Sequence, residues 1–176
     1  MIKFGIVDCI ENDYDVFPAV EATASKLSEV SVQRLTAPDI LKTPVCAKKL
    51  FSEGADSVIV FLTLNDDDKD SMNLVVEKMM NVELEFSKYV FYVTTPADYF
   101  KDKDDFIEQM SKKFELVFNL IIDALKNPSS VSEKIGSNQS SDFQSFSAFA
   151  MFNESENSGS NTEENPNEVI GHSLFG

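Results

Sequence analysis

The chain has 176 residues, 43% of them apolar and 26% charged, ordinary proportions for a folded protein. Its formal charge of −15 is unusual: it argues against nucleic acid as a partner, since no run of phosphates would be neutralised, and against an anionic membrane surface on the same ground. Two cysteines, Cys9 and Cys46, are too few for a disulfide framework or a zinc site, and both are expected as reduced thiols in the cytoplasm.

Met1-Ile2-Lys3-Phe4 leads straight into a strand pattern, so no signal peptide is expected. No apolar run reaches the ~20 residues that a membrane span requires. Ile2 to Val7 is a short apolar strand that ends at Asp8. Val16, Val20, Ala24 and Leu27 form a helical stripe. Val30 to Leu35 is a second strand. Pro44 to Phe51 is a helix, with Thr43 expected as its N-cap and Gly54 closing it. Ser57 to Leu62 is a continuous β-branched and aromatic run, the pattern of a strand covered on both faces. Asp66 to Phe86 is a long helix whose acidic start suits the helix dipole. Within it, Met72, Met79 and Met80 are expected to pack in the core or at a subunit interface. Tyr89 to Thr94 is a fourth strand. Asp105 to Leu125 is a strongly amphipathic helix built on Phe106, Met110, Phe114, Val117, Phe118, Ile121 and Leu125.

Composition changes after Lys126. Residues 127–176 are rich in Ser, Asn and Glu and carry seven acids against one base, Lys134. Such a segment lacks the apolar surface to offset its ordering entropy and is expected to be mostly disordered. Two apolar islands stand out in it, Phe143 to Phe152 and Val169 to Phe175, as anchors for a protein partner or a neighbouring subunit. The division is thus a domain over 1–126 and an acidic tail over 127–176.

Strand–helix alternation means βαβ units, a parallel sheet and right-handed crossovers. The expected fold is a three-layer α/β domain, a four-stranded parallel sheet in the order 2-1-3-4 with helices on both faces. Ligands of such sheets bind beyond the carboxyl ends of the strands. The segments there are 8–15, 36–43, 63–69 and 94–103. The first turn, Asp8 to Asp15, has no glycine and four acids, which excludes a dinucleotide fingerprint or a phosphate loop. The acids of this turn and of Asp66 to Asp70 lack calcium-loop spacing and are expected as a solvated rim; no metal or cofactor is implied. His172, the one histidine, lies in the tail, too loosely held for a general base. Cys9 has acids beside it that raise a thiol's pKa, against a nucleophilic role.

The run from Thr36-Ala37-Pro38-Asp39 through Thr43-Pro44 to Lys48-Lys49-Leu50 resembles archaeal riboflavin synthases, which share a fold with lumazine synthases. So do Lys3 to Asp8, Tyr14-Asp15, Gly54 to Val60 and Asp68-Lys69-Asp70, over about residues 1–100. The resemblance implies a pentamer or a multiple of it, with sites between subunits. It implies either condensation of an aminouracil with a sugar phosphate or dismutation of ribityllumazine to riboflavin. It also implies ligand contacts near Asp8, Cys9, Pro38, Asp39, Ile40, Leu64 and Asn65.

The family's chemical positions are occupied differently. Glu11 replaces the first-loop aromatic, Asp13 an arginine, Asp39 the loop glycine, Lys42 the loop acid and Asn73 the third-helix histidine. Leu64-Asn65-Asp66-Asp67 replaces a glycine-rich turn. The expected function is a non-catalytic relative, an oligomeric scaffold or binding module with a recruiting tail. An active riboflavin or lumazine synthase with a rearranged site, and a holder of a flavin-like ring, remain the alternatives. A crowd of aromatics, Phe86, Tyr89, Phe91, Tyr92, Tyr99 and Phe100, points independently to a homo-oligomer.

Overall fold

The computed structural model describes residues 1–97 and 99–127. The expectations placed on the tail, including its two apolar islands and His172, lie outside the described residues, Asn127 apart. Among the described residues four strands are present, β1 (Ile2–Cys9), β2 (Val30–Ala37), β3 (Ser57–Leu64) and β4 (Val90–Pro96). They alternate with four helices, α1 (Phe17–Ala24), α2 (Thr43–Ser52), α3 (Lys69–Phe86) and α4 (Lys103–Lys126). Two single 3-10 turns, Ile40–Lys42 and Asp66–Asp68, lead into α2 and α3.

All pairings are parallel and the strand order is β2-β1-β3-β4, as the alternation predicts. The two central strands are buried along most of their length. Their alternation sends Phe4, Ile6, Ile59 and Phe61 to one face, under α1 and α4, where they meet Val20, Phe106, Phe114 and Phe118. Val7, Val58, Val60 and Leu62 go to the other face, under α2 and α3, with Leu50, Met72, Val75 and Met79. The molecule is therefore three-layered. Among the described residues no helix is long and apolar enough to cross a membrane.

Element ends follow local chemistry. Gly54 closes α2 at φ +92°, where a side chain would be strained, and its amide donates to Phe51 O. Ser87 ends α3 in the left-handed region without a glycine. Asp102 caps α4 by accepting from the Asp105 amide.

Two expectations are corrected. Thr43 is not the N-cap of α2 but its first residue; its hydroxyl donates to Ile40 O, and Asp39 does the capping one turn earlier. Met72 and Met79 are buried in the core, one of the two places expected for them, and Met80 is exposed. The aromatics around β4 do not crowd one region. Phe91 turns to the α1/α4 face and Tyr92 to the α2/α3 face, as strand alternation requires, while Tyr89 and Tyr99 lie exposed at opposite ends of the strand.

Candidate functional site

β1 is longer in its pairing with β2 than with β3. It runs in register with β2 from Ile2↔Val30 to Cys9↔Ala37, but with β3 only from Phe4↔Ser57 to Val7↔Val60. Beyond Val7 the two central strands part, and a cavity of about 350 Å³ opens at their carboxyl ends. Its lining comes from four segments: Cys9 from β1, Glu11 and Asn12 from the loop after it, Ile40 from the turn after β2, and Leu62, Thr63, Asn65 and Asp68 from the end of β3 and the turn beyond it. This is where an open parallel sheet holds its ligands.

The walls are held by side chains that mimic backbone. The Asn12 carboxamide bridges the gap: its Oδ1 accepts from the Thr63 amide at 2.9 Å and its Nδ2 donates to Phe61 O at 3.4 Å. Asn65 and Asp68 form a reciprocal capping box, with the Asp68 carboxylate accepting from the Asn65 amide at 2.8 Å. Asp39, extended at φ −150°, accepts from the Lys42 amide at 3.1 Å. An extended backbone does not require glycine, so the aspartate sits here without strain.

Beneath the first loop lies a charged clamp. Asp8 is 3% exposed, and its carboxylate pairs with the Arg34 guanidinium. Arg34 also pairs with Asp15 at 2.9 Å and lies 5.1 Å from the centre of the Phe17 ring. Asp15 in turn accepts from the Phe17 amide at the start of α1. Burial works against the Arg34 charge, but the hydrogen bonds and charges of Asp8 and Asp15 outweigh it and hold its pKa above the ordinary value. The loop carrying Glu11 and Asn12 is thus fixed at both ends.

Cys9 is the one thiol on the lining. Its pKa is pushed up to about 12, by burial first and then by the charges of Glu11, Asp8 and Asp39. The neighbouring acids do act as the sequence implies, but burial is the larger cause. Such a thiol stays protonated near neutrality and does not act as a nucleophile. No group of three or more His, Cys, Asp or Glu side chains converges for a metal among the described residues. Asp8 and Asp15 are committed to Arg34, and Asp39 and Asp68 to backbone amides.

Of the seven residues suggested for ligand contact, Cys9, Ile40 and Asn65 line the cavity; Asp8, Pro38, Asp39 and Leu64 do not. Of the five altered family positions, Glu11 lines it. Asp13, Lys42 and Asn73 are exposed elsewhere, and Asp39 serves as a cap. Asn12, Leu62, Thr63 and Asp68 complete the lining; the sequence reading placed Asp68 on a solvated acidic rim and did not single out the other three. Arg34 was also missed, although a signal existed. It is the only arginine in a chain with 30 acids, and arginine is the residue suited to buried carboxylate pairs.

No protein-family model matches the chain. The chain is similar to the riboflavin synthase of Archaeoglobus fulgidus, 27% identical over 141 residues, which cover 78% of this chain and 92% of that protein. The likeness therefore extends over more of the chain than the stretch of about residues 1–100 that carries the resemblance in the sequence.

Proposed function

We propose that this is a divergent riboflavin-synthase-like domain that binds a small ligand at its strand ends without transforming it. It acts as a module of a homo-oligomer, a pentamer or a multiple of it, whose acidic tail recruits a protein partner. One observation carries the reading. Four of the five side chains at the positions altered relative to the resembled family are spent on the fold or stand away from the cavity: Asp39 caps a turn, while Asp13, Lys42 and Asn73 are exposed outside it; the fifth, Glu11, is a carboxylate on the lining. The ionisable lining consists of two carboxylates and a thiol that holds its proton to about pH 12. No histidine lines the cavity, and removing a positioned acid–base group typically costs 10²–10⁴ in rate.

The test is incubation of the pure full-length chain with ribityllumazine, reading riboflavin fluorescence. No turnover at ordinary enzyme rates of ~1 s⁻¹ is expected. Sustained riboflavin production would favour the second reading, an active riboflavin synthase with a rearranged site. That reading draws its support from the match over 92% of the length of the Archaeoglobus fulgidus riboflavin synthase. Light scattering on the same sample tests the oligomer, and a monomer at micromolar concentration would remove the scaffold part of the proposal.

A further inference from the structure

The two edges of the sheet are finished differently. The Val58 amide bonds Tyr89 O and the Ala97 amide bonds Leu64 O, so the odd residues of β4 face β3, and Val90, Tyr92, Thr94 and Pro96 turn their backbone groups outward. That outer edge is largely plugged. The Glu83 carboxylate accepts from the Val90 amide at 2.7 Å, the Lys113 ammonium donates to Thr94 O at 2.9 Å, and Pro96 has no amide to offer. β2 has no such guard. The Ile2 amide bonds Glu29 O and the Ile10 amide bonds Ala37 O, so here the even residues face outward. Among the described residues no side chain or loop bonds the backbone amides and carbonyls of Val32, Arg34 and Thr36 there. The strand is eight residues long, without proline or glycine, and its Val30, Val32 and Leu35 are only half-buried. An open edge of this kind is a template for an added strand.

We propose that β2 is such a template and that residues 143–152 of the same chain are the strand that completes it, parallel to β2. The proposal goes beyond the ligand-binding reading and stands apart from the cavity. The chain leaves the domain beside β2: α4 ends at Lys126, whose ammonium pairs at 2.5 Å with Glu29, the residue before the strand. A crossover from β4 over α4 to the β2 edge crosses the same face in the same direction as β1–α1–β2, and so has the right-handed sense that parallel strands take. The intervening residues 128–142 span up to about 50 Å, roughly twice the length of β2, which puts the segment within reach. Sequence then selects among the segments beyond Lys126. Residues 143–153 are the longest uncharged run there, so they can approach a chain of net charge −15 where the Glu-rich stretches are repelled. They hold no proline or glycine. Read as a strand, they place Phe146, Ala148 and Phe152 on one side and Phe149 and Met151 on the other, apolar on both, to match half-buried Val32 and Leu35 on opposite faces of β2.

Hydrogen exchange of the full chain, read amide by amide, tests the pairing. The comparison is the full-length double variant Ala148→Pro/Phe149→Pro. Successive residues of a strand face opposite edges, so one of the two prolines removes a donor toward β2 whatever the register. The outward amides of Val32, Arg34 and Thr36 should exchange about tenfold more slowly in the unaltered chain than in the variant, while the Ile59 amide at the sheet centre exchanges alike in both. The protection should not depend on protein concentration, since edge and strand belong to one chain. Fast exchange of the three amides in the unaltered chain would overturn the proposal. So would protection that the prolines leave intact, as pairing with β2 of a second copy or with a foreign peptide would give, and so would protection that fades on dilution, which would place a neighbouring copy's segment on the edge.

Discussion

The two faces of the sheet are covered by different chemistry. The α1/α4 side is aromatic and closed: Phe4 lies 4.9 Å from Phe118, Tyr14 5.0 Å from Phe106, and Phe114 5.9 Å from Phe118. The α2/α3 side is built mainly of valine, leucine and methionine, with one ring pair, Phe51 and Phe86, at 5.4 Å. Its outer surface is also the more apolar of the two. Val45 is 66% exposed and Leu84 73%, with Leu41, Leu74 and Met80 exposed beside them, whereas α4 exposes Leu116 and Leu125. The cavity opens on this same side, through Cys9, Leu62 and Ile40. One face is thus closed by packed rings, and the other has the softer packing and the more exposed apolar side chains.

If that division is right, the largest loss comes from the aromatic face. Phe118→Ala should cost about 3–5 kcal/mol, read as a shift of the denaturation midpoint at constant slope. A similar cost for the volume-conserving Met79→Leu, expected below about 1.5 kcal/mol, would erase the contrast. Next comes Gly5→Ala, which probes how much the softer face can yield. An added Cβ would stand 2.9 Å from Leu50 Cδ1 and 3.1 Å from Val58 Cγ2. A loss of about 1–3 kcal/mol is expected, because Leu50 is fully buried against the strand.

Alkaline pH addresses the softer face through its buried thiol. The folded thiol of Cys9 ionises near 12 and its ordinary value is 9.0, so the folded state holds the proton more tightly. That contribution is complete below pH 9 and is lost as pH rises toward 12. About 1 kcal/mol should be gone by pH 10. Tyr92, raised by burial and then by Glu83, acts in the same direction. Comparing the pH profile of the chain with that of Cys9→Ala isolates the thiol, and identical profiles would contradict its burial. The smallest effect on folding is expected from Met80→Gln with Leu84→Gln, within about 0.5 kcal/mol. If the α2/α3 surface is an association face, the same pair should lower the mass seen in light scattering; an unchanged mass directs attention to α1 and α4.

The layer order and the helix faces were legible because burial imposes a period. Ser57 to Leu62 has no polar alternation, so it had to be central, and the stripe from Phe106 to Leu125 had to face a sheet. Element ends were less legible. Asp39 and Thr43 are both residue types that cap helices, and the choice between them depends on a 3-10 turn that adds one more turn before α2. The cavity lining was legible only in part. Strand-end topology located it, but the parting of β1 from β3 is a matter of register, and no local pattern records register. Asn12 sits among acids and looked like one more solvated residue of the rim; its role depends on a strand about fifty positions away.

The Asn12 bridge has a consequence for how this end of the molecule breathes. Where the β1–β3 ladder stops, a single carboxamide stands in for a peptide group, accepting at one atom and donating at the other. The split in the sheet is therefore latched by one side chain, and aspartate cannot replace it, since a carboxylate has no proton to offer Phe61 O. The amide hydrogen of Thr63 becomes a native reporter of that latch. Its exchange with solvent measures how often the first loop lifts, separately from unfolding of the sheet on which both strands depend.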